Sequence, residues 1–439
     1  MKMLKSLLRG VLPALVVVVF LVAWVALPWP ALLGLGLLLA LWMALTRTGR
    51  QAASVAYVGI ATLPQRLGTS SVVVVGIAGV VGVLMALLAM AEGYRHTLAS
   101  SGDENTAIVL RGGSSAELMS VLSHEAVTAI VRAPEIARNA EGQPLASPEL
   151  LVAANVPRRG SGEDGSVTLR GVGPMAWEVR RSVRLVEGRR FEPGRRELVV
   201  GRGAQRQFDG LEVGRELRLG NQVWTVVGAF ESGDSLESEM WADAEIVAAT
   251  YRRGSSRASV VARLADPKAI GAFKANLAAD PRLQVEATTT REYFRRQSET
   301  LTRVLRIIGI VVGSIMAIGA VFGALNTMFA TVATRAREIA TLRAIGFRGM
   351  PVVAAVMLET LLLAAAGGIV GGAVAWLLFN GYTASTMAGG VAQLSFEFRV
   401  TPALLWTGLK WALAIGFVGG LFPALRAATL PVSQALRAA

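Results

Sequence analysis

The sequence of 439 residues contains no cysteine, two histidines and five lysines, and only 17% of its residues are charged. The lack of cysteine excludes disulfide bonds and thiolate metal sites. No lysine follows a glycine, which excludes a P-loop, because that motif needs a lysine directly after glycine to reach the phosphates of ATP. His124-Glu125 does not complete a zinc-protease motif, since threonine stands at position 128. The sequence therefore predicts a chain that is not an enzyme and binds no metal or cofactor itself.

Hydrophobic residues make up 53% of the sequence, and they are concentrated in long runs. A run of about 20 apolar residues is long enough to cross a bilayer as a helix. The Leu27-Pro28-Trp29-Pro30 stretch favours a break between two short runs, because proline interrupts a helix and tryptophan prefers the membrane interface. The pattern predicts an α-helical polytopic membrane protein with about six transmembrane helices, at 11–27, 31–46, 71–92, 303–332, 351–379 and 402–425.

The formal net charge of +13 is carried beside the apolar runs rather than on a folded domain. Residues 94–300 hold 28 Lys and Arg against 27 Asp and Glu, whereas the rest of the chain holds 16 against 4. A nucleic-acid-binding protein would show a basic patch on a domain, so we exclude nucleic acid as a partner. Lys and Arg in short loops prefer the cytoplasmic side of a membrane. The distribution predicts a multi-pass inner-membrane protein with both termini in the cytoplasm and a large periplasmic domain at 94–302.

That outer domain contains segments with the pattern of strands and segments with the pattern of helices, and we predict an α+β fold for it. Glu197–Gly201 has the composition of a strand, and Gly220-Asn221 is typical of a tight turn between two paired strands. We predict helices over 115–130 and 266–277. The acidic stretch 231–245 lacks the fixed spacing of a calcium loop, and we expect it to form a solvated rim.

A basic segment, 334–347, lies between the fourth and fifth predicted spans. As a helix it would place Arg337 and Arg348 on one face and Ile339 and Leu342 on the other. Such an amphipathic cytoplasmic element could lie on lipid or dock into the groove of a partner protein. Composition alone leaves both interpretations open.

The order of residues in this segment resembles a known family. Thr334-Arg-Ala-Arg-Glu-Ile-Ala-Thr-Leu-Arg-Ala-Ile-Gly-Phe347, followed by Leu358-Glu359 and Gly367-Gly368, is similar to the coupling region of the FtsX/MacB-type family of ABC transporter permeases. Pro423-Ala-Leu-Arg-Ala-Ala resembles part of the family's C-terminal end, and Val186-Glu-Gly-Arg-Arg-Phe191 resembles part of its extracytoplasmic MacB-like core domain. The resemblance extends over about 60–439.

The resemblance implies a division of the chain and a partner. Since the sequence holds no P-loop, ATP and Mg²⁺ would be bound by a separate ABC ATPase subunit. The implied parts are an N-terminal cytoplasmic segment with an additional transmembrane hairpin (1–66), a transmembrane helix and stalk (67–93), the periplasmic domain (94–302), and an FtsX-like transmembrane domain (303–439) with its coupling element at 334–347.

The same resemblance points to residues that would couple the permease to its ATPase. Charged side chains would offer charge-assisted hydrogen bonds to the partner, and a glycine would let the coupling helix end. Glu359, inside the fifth predicted span, would pair with an arginine near the cytoplasmic side. The predicted coupling residues are Arg335, Arg337, Glu338, Arg343 and Gly346.

The resemblance implies a mechanical function, in which ATP hydrolysis drives the extrusion of an amphiphilic molecule or peptide. We expect a homodimer of permease copies in lipid, with a periplasmic adaptor protein as a further candidate partner. Two alternatives stay open: release of lipoproteins from the inner membrane, and non-transporting signalling to an envelope enzyme.

Two further features concern the membrane helices, namely small-residue pairs that favour helix packing and a lysine within an apolar run. Gly-x-x-x-Gly pairs permit close helix packing, either within the chain or between two copies. We expect Lys410, which lies between Trp406 and Trp411, to extend its ammonium group to the outer membrane surface. The pairs begin at Gly309, Gly319, Gly367 and Gly416.

Overall fold

A computed structural model describes residue 19, residues 23–388 and residues 392–429. The first predicted span, 11–27, lies almost wholly outside the described residues. The described part of the chain forms two compact units. The membrane unit contains the residues up to Met90, Val304–Asn380 and the residues from Arg399 onward, and the outer unit contains Ala91–Arg303 and Gly381–Phe398.

Both units contain helices, and the membrane unit is built mainly from them. The helices of the described chain are α1 (Trp29–Leu45), α2 (Arg47–Ala61), α3 (Leu67–Ser100), α4 (His124–Val131), α5 (Ala176–Val179), α6 (Arg202–Gln207), α7 (Ala244–Thr250), α8 (Ile270–Ala279), α9 (Thr290–Thr334), α10 (Ala336–Ala344), α11 (Gly349–Phe379) and α12 (Pro402–Thr429).

The six predicted transmembrane helices are not confirmed. In the described residues, four helices are long and apolar enough to cross a membrane, namely α3, α9, α11 and α12. Helices α1 and α2 qualify only as a pair, and that pair is bent by 102°. The bend lies at Thr46, whose extended backbone ends α1 and whose side chain accepts a hydrogen bond of 2.8 Å from Gly49 N–H to begin α2. The span predicted at 31–46 therefore continues into a second helix of different direction.

Glycine lets the spanning helices approach closely within the chain. A Cβ added at Gly371 would lie 2.5 Å from the Ala78 carbonyl oxygen of α3, and one at Gly416 would lie 2.4 Å from the Ala364 Cβ of α11. Those separations are shorter than van der Waals contact, so larger residues would force the helices apart. At Gly319 and Gly323 of α9, by contrast, an added Cβ would meet nothing within 4 Å.

The outer unit is built on a mixed sheet. The sheet order is β10-β1-β9-β2-β3-β8-β5-β7-β4, with β6 paired to β7; the β3–β8 and β5–β7 pairs are parallel and the other pairs antiparallel. The strands are β1 (Thr106–Arg111), β2 (Ala146–Pro157), β3 (Asp164–Val172), β4 (Arg184–Gly188), β5 (Glu197–Gly201), β6 (Glu216–Leu219), β7 (Gln222–Glu231), β8 (Glu239–Asp243), β9 (Ser259–Arg263) and β10 (Val285–Thr289).

Two predicted features of this unit agree with the structure. Strand β5 has the predicted bounds, and β6 and β7 join through Gly220 and Asn221, whose φ values of 54° and 62° suit the left-handed turn of a tight hairpin. A hairpin that we did not predict connects α11 and α12. Its strands are β11 (Thr383–Ala388) and β12 (Ala392–Glu397). It belongs to the outer unit, where Ser395 N–H donates to Ser238 Oγ at 3.0 Å.

The helix predicted over 115–130 is wrong in its first half. Between residues 115 and 123 the only helical element is a short 3₁₀ turn, Glu117–Met119, and α4 begins after it. Leu122 pairs as an isolated bridge with Arg257, and the Ser123 side chain then accepts a hydrogen bond from Ala126 N–H to cap α4. A cap of this kind satisfies a free N–H group of the first turn, so the helix begins there.

A buried ion network lies at the centre of the outer sheet. Arg170, on β3, donates all five of its guanidinium hydrogen bonds to three carboxylates, at distances of 2.6–3.2 Å. The acceptors are Glu117, Glu149 on β2 and Glu239 on β8. The three carboxylates come from distant parts of the chain, so the network ties those parts to a single side chain.

Arg180 completes the network through Glu149, at 2.8 Å. Burial alone raises the pKa of the Glu149 carboxyl, but the charges of Arg180 and Arg170 outweigh burial and hold that pKa below its usual value. The solvated rim that we expected at 231–245 forms only in part, because Glu231 and Glu245 are exposed whereas other acids of the stretch are not. Glu239 binds Arg170, and Asp234 and Asp243 are buried with backbone N–H donors.

Replacing Arg170 by Met should destabilise the outer unit by about 3–5 kcal/mol, because three buried carboxylates lose their shared cation. Denaturant unfolding of the full chain, followed by tryptophan fluorescence, measures this loss. Arg282→Met is the matched control, since the Arg282 side chain is 88% exposed. Equal stability of the two variants would contradict the central role of Arg170.

Candidate functional site

The coupling segment folds as a short helix, α10, between two spanning helices. Arg335 stands at its N-cap, directly after the end of α9. The helix ends where Gly346 adopts a φ of +103°, with its N–H donating to the Arg343 carbonyl at 3.2 Å. Phe347 N–H donates to the Leu342 carbonyl. A left-handed residue is the usual way to end a helix, and glycine takes that conformation without strain.

One face of α10 is buried in the membrane unit. Ile339 packs in a hydrophobic cluster with Met328 and Val332 of α9 and Val352 and Val356 of α11. Because the cluster draws on the helices before and after it, α10 cannot shift without disturbing both.

Beneath this helix lies a buried ion pair. Arg335 Nη1 donates to Glu359 Oε2 at 2.9 Å, and Arg335 Nε donates to Glu338 Oε2 at 3.1 Å. Arg335 is 8% exposed and Glu359, within α11, is 3% exposed. A charge inside a membrane protein is costly unless it is paired, so the pair fixes the start of α10 to the middle of α11.

Arg335, which we predicted to contact a partner protein, is buried in this structure and pairs with Glu359 and Glu338, so its contact with a partner stays a prediction. Glu338 holds Arg335 from the other side, although its own side chain stays 56% exposed. In the structure, the arginine that pairs with Glu359 is Arg335, 24 residues earlier in the sequence.

The outward face of α10 carries the other predicted residues. Arg337, Glu338 and Thr341 are exposed, and so are Ile345, at 69%, and Met350 just beyond. Arg343 is half-buried. The exposed residues form a mixed surface, two charges beside two apolar side chains, that we call the coupling face.

Helix α2 is the feature that sequence reasoning missed. It packs Val55 and Ala56 against Ala355 of α11, together with Leu342 and Phe347 of the coupling segment. Its buried face is made largely of small residues, which give a weak hydropathy signal. The available signal was spacing: small or apolar residues recur at Gly49, Ala52, Val55, Ala56 and Gly59.

Comparisons with known proteins match most of this chain. Residues 67–280 match the MacB-like periplasmic core domain, and residues 310–432 match the FtsX-like permease C-terminal domain. The chain belongs to the FtsX/MacB-type family of ABC transporter permeases. The resemblance seen in the sequence is thereby confirmed. An FtsX/MacB-type permease with a MacB-like periplasmic domain and several apolar helices is a membrane protein with an extracytoplasmic domain.

Two curated relatives are longer than this chain. The macrolide export ATP-binding/permease protein MacB 1/2 of Paracoccus denitrificans is 26% identical over 83% of this chain and 55% of its own length. The macrolide export ATP-binding/permease protein MacB of Nitrobacter winogradskyi is 35% identical over 32% of this chain and 20% of its own. The chain thus spans about half the length of the first relative. The periplasmic region of MacB from Actinobacillus actinomycetemcomitans is 12% identical, covering 47% of this chain and 94% of its own, with a TM-score of 0.34, too low to establish a shared fold.

In this permease Lys410 is bound within the chain, at the turn that joins the first two predicted spans. Its ammonium group donates to the carbonyl oxygens of Val25 and Leu27, the latter at 3.2 Å. Pro28 and Pro30 have no N–H groups, so the chain around them offers carbonyls without the usual helical donors. A cation at the C-terminal end of a helical stretch also suits the helix dipole. Lys410 therefore ties the N-terminal segment to α12.

We expect Lys410→Met to loosen residues 23–45, because two carbonyls lose a charged donor worth about 1.5–3 kcal/mol. Hydrogen exchange of the purified permease should show faster exchange in that segment, and Lys410→Arg should restore slow exchange. Unchanged protection in the Met variant would show that the contact does not hold the segment.

Proposed function

We propose that this permease passes the motion of a partner ABC ATPase to its outer unit and thereby extrudes an amphiphilic molecule or peptide. The observation that carries the proposal is the coupling face, an exposed surface whose supporting helix is fixed by the buried Arg335–Glu359 pair. The ATPase, which would bind ATP and Mg²⁺, docks on Arg337, Glu338 and Ile345 of that face.

The path of the motion follows helix α9. The helix runs without a break for 45 residues, from Thr290 to Thr334, and the coupling helix begins two residues later. At its other end the Tyr293 hydroxyl accepts a hydrogen bond of 3.2 Å from Glu117 N–H. Glu117 belongs to the Arg170 network, so a shift of α9 would act on that network. ATP-driven closure of the ATPase pair would displace α10 and α9 together, because the same apolar cluster holds them.

An apolar groove supports an amphiphilic substrate. It measures about 480 Å³, and Gly368 and Gly372 of α11 and Leu405, Trp406 and Leu409 of α12 line it. A groove of this size and lining suits the hydrocarbon part of a small molecule. It suits an acyl chain equally well, which keeps lipoprotein release as the second candidate function.

A second permease copy is part of the proposal. A Cβ added at Gly319 or Gly323 of α9 would meet nothing within 4 Å, and Ile315 and Phe322 beside them are more than 60% exposed. Small residues flanked by apolar ones suit close helix contact in a membrane. We propose this surface for the homodimer, with both chain termini in the cytoplasm and the outer unit in the periplasm, where an adaptor protein could join it.

Transport is tested directly in liposomes that hold the purified permease and its ATPase. ATP-dependent movement of an amphiphile or peptide supports extrusion, and ATP-dependent release of an acylated protein supports lipoprotein release. ATP hydrolysis without either would support signalling instead.

Arg337→Glu should abolish co-purification of the ATPase, because it reverses the charge at the centre of the coupling face. The matched control is Arg50→Glu, which reverses an exposed arginine on α2, outside the coupling face. Normal recovery of the ATPase with Arg337→Glu, or equal loss with both variants, would contradict the assignment.

A further inference from the structure

The two family matches cover residues 67–280 and 310–432, so the segment before residue 67 lies outside both. We propose that the N-terminal segment, from Trp24 to Ala61, is a brace that positions the Arg335–Glu359 pair and so makes the coupling helix rigid enough to transmit force. The proposal rests on the proposed coupling to an ATPase.

Gly59 provides the closest approach between the brace and the ion pair. A Cβ added at Gly59 would lie 3.1 Å from Glu359 Oε2 and 3.3 Å from Arg335 Nη1. The backbone of α2 therefore lies directly against both charged groups and covers them. A Cβ at these separations would force both side chains to shift by a few tenths of an ångström, and a larger residue would displace them further. Arg66, just after α2, adds a further positive charge to the field at Glu359.

Apolar packing holds α2 in this position. Val55 and Ala56 contact Ala355, while Leu342 and Phe347 of the coupling segment pack against the same cluster. The brace thus touches α11 and the coupling segment at once. Within the brace, α2 is the part that contacts the ion pair, and it leaves the coupling face uncovered. The brace can therefore support the coupling helix while a partner is docked.

The far end of the brace is fixed as well. Trp24 stacks on Phe417 of α12 with ring centroids 5.8 Å apart, and Lys410 binds the Val25 and Leu27 carbonyls. A segment held at only one end would yield when α10 is pushed. Held at both ends, it keeps α2 against the ion pair, and displacement of α10 is passed to α9 and α11.

Gly59→Leu tests the brace in the intact complex. We expect the ATPase to co-purify at the normal level, since the coupling face is unchanged. ATP-driven transport or release should fall about tenfold, within the usual span of coupling between two sites. Gly36→Leu on α1 is the matched control, because an added Cβ there meets nothing within 4 Å, and it should keep normal activity.

A double variant separates positioning from general damage. If Gly59 acts through the ion pair, Gly59→Leu combined with Glu359→Gln should lose no more activity than Glu359→Gln alone. Losses that multiply, or a Gly59→Leu variant as active as Gly36→Leu, would overturn the proposal. If Gly59→Leu does not fold, Gly59→Ala replaces it, with a smaller loss in the same direction.

A measurement without ATPase distinguishes failure of the brace from failure of the proposed function. The chain has no cysteine, so a single spin label at Ile345→Cys reports the mobility of the coupling helix alone. Gly59→Leu should raise that mobility and Gly36→Leu should not. Unchanged mobility in Gly59→Leu would refute the brace even if an ATPase docks normally, whereas raised mobility in a permease that recruits no ATPase would refute only the coupling function.

Discussion

One ion pair, that of Arg335 with Glu359, constrains the membrane unit, because neither charge can stay buried without the other. Two charges held at 3% and 8% exposure, in a helical unit rich in apolar residues, are stable only together. Their partnership fixes where the coupling helix begins, since Arg335 is its N-cap. Helix α2 lies against the same pair, where a Cβ added at Gly59 would lie 3.1 Å from Glu359 Oε2. The coupling face outside is therefore presented by a helix that is held from beneath.

In the outer unit, too, every buried charge needs a partner of opposite charge, and a larger network supplies the partners. Arg170 there satisfies three carboxylates at once, and Arg180 adds a second cation. Each of these side chains lies on a different strand or turn, so a single buried network joins parts of the sheet that are far apart in sequence. Buried networks of this kind hold a unique arrangement only while every member is paired. Tyr293, in the first turn of α9, is attached to the network through Glu117.

Much of this architecture could be predicted, and the failures share a cause. Long apolar runs identify α3, α9, α11 and α12, and the residue order of 334–347 identifies the coupling helix, because both signals are local. Strand β5 and the turn at Gly220-Asn221 are local signals as well. The buried role of Arg335, the partners of Arg170 and the carbonyl contacts of Lys410 depend on residues between 21 and 385 positions away. Helix α2 was missed because its buried face is built of Gly and Ala, which hydropathy hardly marks. The separate ATPase, the substrate and the homodimer stay proposals.

The most direct measurement of the central claim is thermal unfolding of the permease with Arg335→Met and Glu359→Leu, introduced singly and together. Arg335→Met leaves the buried Glu359 without its hydrogen-bonded cation, which costs about 3–5 kcal/mol, and Glu359→Leu costs less because Glu338 still pairs with Arg335. Removing both charges together is close to neutral. Either single variant should unfold at a clearly lower temperature, and the double variant should recover most of the loss. A double variant whose loss equals the sum of the two single losses would contradict it.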